Sequence, residues 1–390
     1  MSGDNSAVRA LIREVRDSGD PEAAIERLQN ARREQGEIPE LVFALVDLQL
    51  RCGRRTDAIA TAGQLVGAHP EHSNAWLQLS IAKQVAGDMV GSVATARRAI
   101  ALDPGNILAL EKLTESLLFQ GKQEEARSVF RKIPHRPGFP PRARVARSIV
   151  IPVLRNEPGG PHDVNALLAD LEDFDGEVVV VFNSAEAHAA LKDHPRITRS
   201  CLNSQNVGVG RGWTMGLSLA DGPIVFILNS DLRFHDLSSL AAMEAGLLAD
   251  DRAVITGVSG EFIDPANFRV CRVIAPEDVT EPVVVDSVPG HLFAVHVDRF
   301  NDAGLAFDTR FAPFFCEELD IGLQAKRAGL NVRAVPSAGW HHALGISRQD
   351  YPVSFLGAPV DRNRALLDAR LTLREKWHRV GIPSVTGDSS

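Results

Sequence analysis

Tyrosine, cysteine and long apolar runs are scarce in this sequence of 390 residues. There is one Tyr beside 17 Phe, and the four Cys form no CxxC pair, which predicts free thiols rather than a disulfide framework or a zinc site. No apolar run approaches the ~18 residues of a membrane span, and the N-terminus lacks the apolar core of a signal peptide. We therefore expect a cytoplasmic protein without a transmembrane segment.

Charge and composition narrow the expected partners. The formal net charge is −8, with 42 Lys and Arg against 50 Asp and Glu, so nucleic acid is not an expected partner. Hydrophobic residues make up 44% of the chain and charged residues 24%, which is ordinary for a globular protein of this length with two or three domains.

Glycine is plentiful, with 31 residues, and four glycines recur at a spacing of 34 residues: Gly19, Gly53, Gly87 and Gly121. A leucine precedes each of them by eight residues: Leu11, Leu45, Leu79 and Leu113. Apolar residues lie at helical spacing on both sides of each glycine, which predicts two helices joined by a tight turn. One such pair cannot bury its apolar face alone, so the pairs are expected to stack.

This period and pattern resemble the tetratricopeptide repeat. The third unit is the fullest match, with these residues at family positions: Trp76, Leu79, Gly87, Ala99 and Pro104. The resemblance implies a solenoid of four helix pairs over residues 1–135, with a concave surface that docks a protein or peptide. The alternative is a scaffold that only stabilises the chain or forms a homo-oligomer.

A segment rich in proline and arginine follows over residues 136–147, and its prolines exclude a continued helix. Short β-branched runs then alternate with helical segments, which predicts an α/β domain over residues 148–350. Residues 351–390 are predicted to form an amphipathic helix and a tail. Packing on the α/β domain is the expected role of this helix, with the acceptor side or a membrane face as alternatives.

Three strands and one glycine-rich loop mark the expected binding edge of the α/β domain. The predicted strands cover 148–154, 177–183 and 223–228, and a glycine-rich loop leads into a helix over 207–220. The third strand ends in Asn229-Ser230-Asp231. Ligands of open α/β sheets bind at the carboxyl ends of the strands, so these three side chains are expected at a site.

This region resembles the GT-A glycosyltransferases of family 2, which are inverting nucleotide-sugar enzymes with a Rossmann-like fold. The resemblance rests on three blocks in family order between Ser148 and Ser347. The first block contains Asn206, Gly208, Gly210 and Gly216, followed by Asn229-Ser230-Asp231. The second consists of Gly290–Val295 and Gly304–Gly329, and the third is Trp340–Ser347.

The resemblance implies a divalent metal, Mn²⁺ or Mg²⁺, that neutralises the diphosphate of the nucleotide-sugar donor. Asp231 is the retained acid of the family's metal motif, while Asn229 replaces its first acid and offers only a neutral carbonyl. His341 or His342 is expected to complete the metal shell or to contact the diphosphate. Because the two histidines are adjacent, we expect only one of them to face the metal, and His341 is preferred.

Inversion at the anomeric carbon requires one base that takes the proton of the acceptor hydroxyl. The second block contains an acidic cluster, Glu317, Glu318 and Asp320. The resemblance implies that Glu318, the second acid of this cluster, is the base, with Glu317 as the alternative. The family more often has Asp here, so Glu318 would reach one methylene further. Acids also favour the start of a helix because of its dipole, so the cluster without the surrounding blocks would not indicate catalysis.

The same resemblance assigns the residues that contact the donor: Glu157, Asn183, Asn206, Gly208, Gly210, Arg211 and Asn229. Glu157 follows the first strand. Asn183 follows the second strand, where the family usually has an Asp that contacts the base or ribose, so the identity of the nucleotide stays open.

Together these features predict a metal-dependent inverting glycosyltransferase that moves a sugar from a nucleotide-sugar to a protein or peptide docked by the repeats. Two alternatives stay open. In one, the enzyme builds a polysaccharide or a lipid-linked glycan while the repeats hold a partner enzyme. In the other, the chain is a degenerate transferase that acts as a repeat scaffold, which Asn229 and the missing base-contacting acid would favour.

Overall fold

The structure is a computed structural model, and it describes these residues: 5–16, 20–120, 122–130, 132, 145–203, 205–343, 352–355 and 358–380. The chain forms two compact units, Met1–Pro134 and His135–Ser390. Most of the predicted linker, residues 136–144, lies outside the described part. Across the described ranges, no helix combines the length and the apolar character needed to cross a membrane.

The first unit consists of helices in consecutive pairs. They are α1 (Asn5–Arg16), α2 (Pro21–Gln35), α3 (Pro39–Arg51), α4 (Arg55–Ala68), α5 (Ser73–Val85), α6 (Met89–Leu102), α7 (Ile107–Phe119) and α8 (Gln123–Phe130). Gly53 follows the end of α3 and Gly87 the end of α5, with φ of +74° and +89°. Glycine adopts this left-handed backbone easily, which allows the tight turn predicted within each pair. Gly19 and Gly121 lie outside the described residues.

Small side chains allow neighbouring helices of the repeats to approach closely. Ala58, Ala62 and Ala96 are fully buried, and so are the larger Leu45 and Leu65. Burial of each leucine contributes ~1.5–3 kcal/mol relative to an exposed side chain. Since these positions are covered by the neighbouring helices, the stability of each pair depends on the pairs beside it.

A network of buried hydrogen bonds between side chains connects α5, α6 and α7. Ser92 Oγ lies 2.9 Å from both Ser80 Oγ and Ser116 Oγ. Gln84 donates from Nε2 to Ser116 Oγ at 3.2 Å, and all four side chains are buried. A buried polar group left without a partner costs ~1–3 kcal/mol, so this network favours one register of the three helices.

Helix α7 carries three charged side chains that are almost fully buried. Glu111, Lys112 and Glu115 are 3%, 3% and 1% exposed, and Lys112 Nζ lies 2.5 Å from Glu115 Oε2. Glu111 Oε2 has no hydrogen-bond partner within the described part of the chain. Burial raises the pKa of Glu111 to about 7, an effect that Lys112 opposes and Glu115 increases. Between about pH 4.5 and pH 7, the folded chain therefore retains a proton on Glu111 that an unfolded chain would lose.

We predict that helix α7 loses stability as the pH rises from about 4.5 to about 7. The pKa of Glu111 is higher in the folded than in the unfolded chain. The contribution of Glu111 to the free energy of unfolding is therefore fully present below its pKa in the unfolded chain. It is lost as the pH rises through its pKa in the folded chain. Glu111→Gln keeps the shape without the charge. At pH 8 it should increase the protection of α7 amides against hydrogen exchange about tenfold over wild type.

At pH 4.5 the Glu111→Gln variant and the wild type should show similar protection of α7, because the wild-type carboxyl is then protonated in the folded chain. Glu40→Gln, at an exposed position of α3, serves as the matched control and should leave α7 unchanged at both pH values. Equal protection of wild type and Glu111→Gln at pH 8 would contradict the prediction.

The second unit contains a mixed sheet. Its strands, in spatial order, are β3 (Arg199–Leu202), β2 (Glu177–Phe182), β1 (Arg147–Val153), β4 (Ile224–Leu228), β10 (Leu292–His296), β6 (Ala253–Gly257), β11 (Asn331–Ala334) and β9 (Val283–Val285). The first four run parallel, while β10 is antiparallel to both β4 and β6. The predicted strands 148–154, 177–183 and 223–228 match β1, β2 and β4 to within one residue at each end.

Further elements surround this sheet. The helices are α9 (Val164–Asp170), α10 (Ala185–Leu191), α11 (Val209–Leu219), α12 (Ser238–Leu248), α13 (Val297–Asp302), α14 (Glu317–Arg327) and α15 (Arg362–Val380). The strand pairs are β5 (Leu232–Phe234) with β12 (Trp340–His342), β7 (Gly260–Asp264) with β8 (Arg269–Ile274), and β13 (Ser354–Phe355) with β14 (Ala358–Pro359). Every residue of β2, β4 and β6 is buried, as expected where both faces of a sheet are covered.

Helix α11 lies unusually close to strand β1 because it has a glycine at the contact. A β-carbon on Gly216 would lie 2.0 Å from Val150 Cγ1, so any other residue would push the helix away from the sheet. The predicted loop and helix over 207–220 are present, and α11 begins at Val209. The close packing holds the start of α11 beside the carboxyl ends of the parallel strands.

The C-terminal helix α15 packs on the second unit, as expected from its amphipathic sequence. Ala369, Leu373 and Trp377 are buried in one cluster with Phe311 and Leu323, which lies on α14. The apolar face of α15 is therefore used in the core of this unit, and α15 supports the helix on which the predicted base is located.

Candidate active site

A cleft with a volume of about 180 Å³ lies at the carboxyl ends of β1, β2 and β4. It is lined by Pro152, Leu154, His162, Asn183, Asn206, Gly208, Val209, Trp213, Asn229, Ser230, Asp231, Pro313, Phe314, Phe315, Val353 and Arg362. Parallel strands bring their carboxyl ends to one edge, so residues far apart in sequence meet there. Five predicted site residues line the cleft: Asn183, Asn206, Gly208, Asn229 and Asp231.

A carboxylate that lines this cleft contacts an imidazole. Asp231 is 3% exposed, and its Oδ1 lies 3.2 Å from Nε2 of His342. The backbone holds the same two segments together, because Ala343 donates its N–H to the carbonyl of Asp231 at 2.9 Å. This pair joins the first and the third sequence block in one place.

The structure corrects the preference for His341. Strand β12 pairs with β5, which places His342 opposite Leu232 and His341 opposite Arg233. Neighbouring residues of a strand point to opposite faces, so only one of the two histidines can face Asp231. That residue is His342, while the His341 side chain is exposed to solvent.

Two further histidines, which sequence reasoning did not single out, lie around this pair. The ring of His291 stacks on His342 at 4.5 Å with an angle of 10° between the planes. Burial lowers the pKa of His291 to about 4, so this ring is neutral at physiological pH. His162 Nδ1 lies 3.0 Å from Ser230 Oγ, and burial lowers its pKa as well. His291 lay in the second block without a family role, and no sequence signal indicated His162.

The donor set fits a metal ion that is shared with a bound ligand. No group of three or more His, Cys, Asp and Glu side chains in the described part of the chain forms a metal cluster. Asp231 and His342 offer one oxygen and one nitrogen. Hard divalent ions need about six ligands, mostly oxygens. The diphosphate of a nucleotide and water would have to supply the rest, so the chain alone would bind such an ion weakly.

The glycine-rich loop joins the cleft to the start of α14. Asn206 accepts a hydrogen bond from the N–H of Gly208 at 3.0 Å through Oδ1. Gly208 has φ of +87°, and a β-carbon there would lie 2.8 Å from the carbonyl oxygen of Pro313. A β-carbon on Gly210 would lie 3.1 Å from Glu317 Cγ. The predicted donor-site glycines therefore also allow α11 to approach the acidic cluster.

A strained turn leads into helix α14. Phe315 and Cys316 have φ of +89° and +69°, in the left-handed region that costs non-glycine residues ~1–2 kcal/mol each. Such strain persists only where the surrounding structure enforces it, and it is common at functional sites. Helix α14 begins at Glu317, directly after this turn.

The two candidate bases have different surroundings. Glu317 is 2% exposed, and burial, with Glu318 as a further cause, raises its pKa well above the usual range despite hydrogen bonds from the backbone of Gly210 and Phe315. Glu318 is half-buried. Burial raises its pKa to about 7, and Glu261 on β7 adds to the rise. Glu318 is thus the more accessible carboxyl, with a pKa close to neutrality.

The third acid of the cluster, Asp320, has a structural environment. It is fully buried and accepts hydrogen bonds from Lys376 Nζ at 2.8 Å, Trp377 Nε1 at 2.9 Å and Gln324 Nε2 at 2.6 Å. Lys376 also contacts Asp308 at 3.0 Å. Asp320 therefore links α14 to the C-terminal helix.

The remaining predicted donor contacts are distributed around the cleft. Asn183 Oδ1 accepts from Asn203 Nδ2 at 2.8 Å, which orients its amide. Asn229 donates its N–H to the carbonyl of His291 at 2.9 Å. Arg211 and Glu157 do not line the cleft: Arg211 lies over the ring of Phe355 at 5.9 Å, and Glu157 Oε1 is 3.9 Å from Arg155 Nη1.

Comparison with known protein families identifies the repeats. The family model of the tetratricopeptide repeat matches residues 15–80, which confirms the repeat prediction. No curated protein is significantly similar to the chain. The structure shows the predicted order of a helical repeat unit followed by an α/β unit with a mixed sheet.

Solved structures similar to the chain include glycosyltransferases and repeat proteins. GalNAc-T7, solved with UDP, GalNAc and Mn²⁺, is 14% identical with a TM-score of 0.42, and the match covers 51% of this chain and 44% of that one. Mannosyltransferase PcManGT from Pyrobaculum calidifontis, in complex with GDP-Man and Mn²⁺, is 17% identical with a TM-score of 0.39, covering 61% and 67%. MamA is 20% identical with a TM-score of 0.30, covering 34% and 72%. The chain thus spans less than half the length of GalNAc-T7.

We predict that His342, and not its neighbour His341, supports metal binding. In the presence of a nucleoside diphosphate, His342→Ala should weaken Mn²⁺ binding ~10–100-fold, because one of two protein ligands is lost. Asp231→Asn should have at least the same effect. The exposed His341→Ala is the matched control and should bind Mn²⁺ like the wild type. The measurement is calorimetric titration, and equal losses in both histidine variants would contradict the assignment.

Proposed function

We propose that this protein is a metal-assisted inverting glycosyltransferase that uses a nucleotide-sugar donor. The observation that carries the proposal is the meeting of three distant sequence blocks at one edge of the sheet. Asp231 lines the cleft and contacts His342, Gly208 of the glycine-rich loop lines it as well, and the turn before α14 touches that loop. This edge is where open α/β sheets bind nucleotides.

The chain's own residues would divide the work of donor binding. Asp231 and His342 would hold the divalent ion, which when bound supplies positive charge against the developing charge of the leaving diphosphate. Asn183, Asn206 and Asn229 present amide groups to the cleft, and amides can both donate to and accept from a nucleotide. Trp213 is 2% exposed and packs between Phe293 and Phe307, so it supports the wall of the cleft.

In the reaction that we propose, the oxygen of an acceptor hydroxyl attacks the anomeric carbon from the side opposite the diphosphate. The new C–O bond forms as the bond to the diphosphate breaks, and the nucleoside diphosphate leaves with the electron pair. Glu318 takes the hydroxyl proton. Its half-buried carboxyl and its pKa of about 7 suit a general base near neutral pH.

We predict that Glu318 sets the acid limb of the pH profile. The base must be ionised, so kcat/KM should fall as the pH drops below about 7 and reach a plateau above it. Glu318→Gln should lower kcat ~10²–10⁴-fold, the usual contribution of general base catalysis, with little change in nucleotide affinity. The measurement is sugar transfer or donor hydrolysis with a panel of nucleotide-sugars and Mn²⁺ or Mg²⁺.

Glu317→Gln is the comparison for Glu318→Gln. Glu317 is enclosed beside Gly210 and should affect packing more than proton transfer, so the acid limb should persist in Glu317→Gln. If Glu318→Gln retains full kcat and Glu317→Gln loses it, the base assignment is wrong and moves to Glu317.

We also propose that the repeats present a protein or peptide acceptor to the second unit. The support is the confirmed repeat match, since such solenoids offer extended surfaces for binding. A shortened chain, His135–Ser390, should hydrolyse the donor at the wild-type rate. Its KM for a protein acceptor should rise at least tenfold, because docking energy is lost. The acceptor is identified by a mass shift on co-expressed proteins, and an unchanged KM would argue for a repeat unit that holds a partner enzyme.

A degenerate transferase that serves as a scaffold is the second candidate. Two observations favour it: Asn229 stands in place of an acid, and the described residues contain no group of three or more His, Cys, Asp and Glu that could hold a metal. Calorimetric titration with UDP, GDP and Mn²⁺ separates the two candidates. Metal-dependent nucleotide binding supports the enzyme, whereas no binding by a folded chain supports the scaffold.

A further inference from the structure

Arg362 stands out among the residues that line the cleft. It is the first residue of α15, and it is half-buried at the edge of the cleft. Its guanidinium carbon lies 5.1 Å from the ring centre of Phe314 and 5.8 Å from that of Phe315. Its Nη1 is buried and has no hydrogen-bond partner in the described part of the chain. Burial also lowers the pKa of Arg362.

Two other partly buried arginines of this unit, Arg196 and Arg299, have backbone acceptors that account for them. Arg196 donates to the carbonyls of Leu171, Phe174 and Gly176. Arg299 Nη1 donates to the carbonyls of Leu247, Asp250 and Ala253. A guanidinium offers five N–H donors, and a buried donor without an acceptor is costly. The buried Nη1 of Arg362 therefore destabilises the unliganded protein. Because Arg362 lines the cleft, a bound ligand can supply the missing acceptor.

The surroundings indicate the chemistry of that ligand. Asp231 is the acid among the lining residues, and its carboxylate faces His342. The other polar lining groups, among them the amides of Asn183, Asn206 and Asn229, carry no charge. Because Asp231 is the one acid among the described lining residues, a bound ligand is the expected source of an anionic acceptor for Arg362. The planar fork of arginine matches the oxygens of a phosphate and binds them in pairs.

We propose that Arg362, which lines the cleft, binds the diphosphate of the donor nucleotide. This assignment rests on the proposed function, in which a nucleotide-sugar occupies the cleft. The two phenylalanine rings hold the guanidinium by cation–π contact, and Nη1 is the donor that the phosphate would satisfy. Because these rings belong to the strained turn before α14, the same turn positions both the anion-binding arginine and the acidic cluster.

The test uses the full chain and calorimetric titration with UDP, GDP, inorganic pyrophosphate, uridine and guanosine, each with Mn²⁺. The variants are Arg362→Gln, which removes the charge, and Arg362→Lys, which keeps it without the fork. Arg364→Gln is the matched control, since Arg364 lies two residues further on the same helix, is 70% exposed and pairs with Asp368. Circular dichroism melting confirms that each variant is folded.

Arg362→Gln should weaken binding of UDP or GDP and of pyrophosphate ~10–100-fold, with Arg362→Lys intermediate, because a charge-assisted contact is lost. Affinity for uridine or guanosine should not change, which a general structural defect would not reproduce. Arg364→Gln should resemble the wild type. If Arg362→Gln fails to fold, a wild-type affinity for diphosphates in Arg362→Lys counts against the proposal, because the fork would then contribute nothing.

The outcomes separate this proposal from the proposed function. Nucleoside diphosphate binding that is equal in wild type and Arg362→Gln overturns the role of Arg362 and leaves the glycosyltransferase proposal standing. Arg362-dependent binding of pyrophosphate without binding of either nucleotide supports the anion site and contradicts the nucleotide-sugar donor. Absence of binding to all the diphosphates in the folded wild type overturns both.

Discussion

The close approach of helix α11 to its neighbours is the constraint on which the site depends. Three glycines make it possible: Gly216 faces Val150 of the sheet, Gly208 faces Pro313, and Gly210 faces Glu317. At each position a β-carbon would lie between 2.0 and 3.1 Å from another atom, too near for normal contact. The sheet edge, the glycine-rich loop and the acidic helix are thereby brought together, although they are distant in sequence.

Strand geometry arranges the polar groups around Asp231, which lines the cleft. The pairing of β12 with β5 selects His342 over His341 for the position beside Asp231. The neutral ring of His291 stacks on His342 and limits its orientation. Within the described residues this arrangement offers Asp231 and His342, so the metal ion that we propose would take its remaining ligands from the diphosphate and water.

The acids at the start of α14 serve different purposes, although their spacing suggests one cluster. Asp320 is buried and joined to the C-terminal helix by Lys376 and Trp377. Glu317 is enclosed beneath α11, and Glu318 keeps partial access to solvent. The C-terminal helix therefore has two connections to the site, one through Asp320 and one through Arg362 at its first residue.

Local sequence patterns determined the elements and their order. The 34-residue period predicted the helix pairs, and β-branched runs predicted β1, β2 and β4 to within one residue, because hydrophobic periodicity and glycine conformations act over short distances. The sequence blocks also indicated Asp231 and the acid pair. Only the tertiary structure decided which histidine faces Asp231, which acid is structural and that Arg362 enters the cleft. Those outcomes depend on strand register, burial and packing between segments that are distant in the sequence, and no local pattern encodes them.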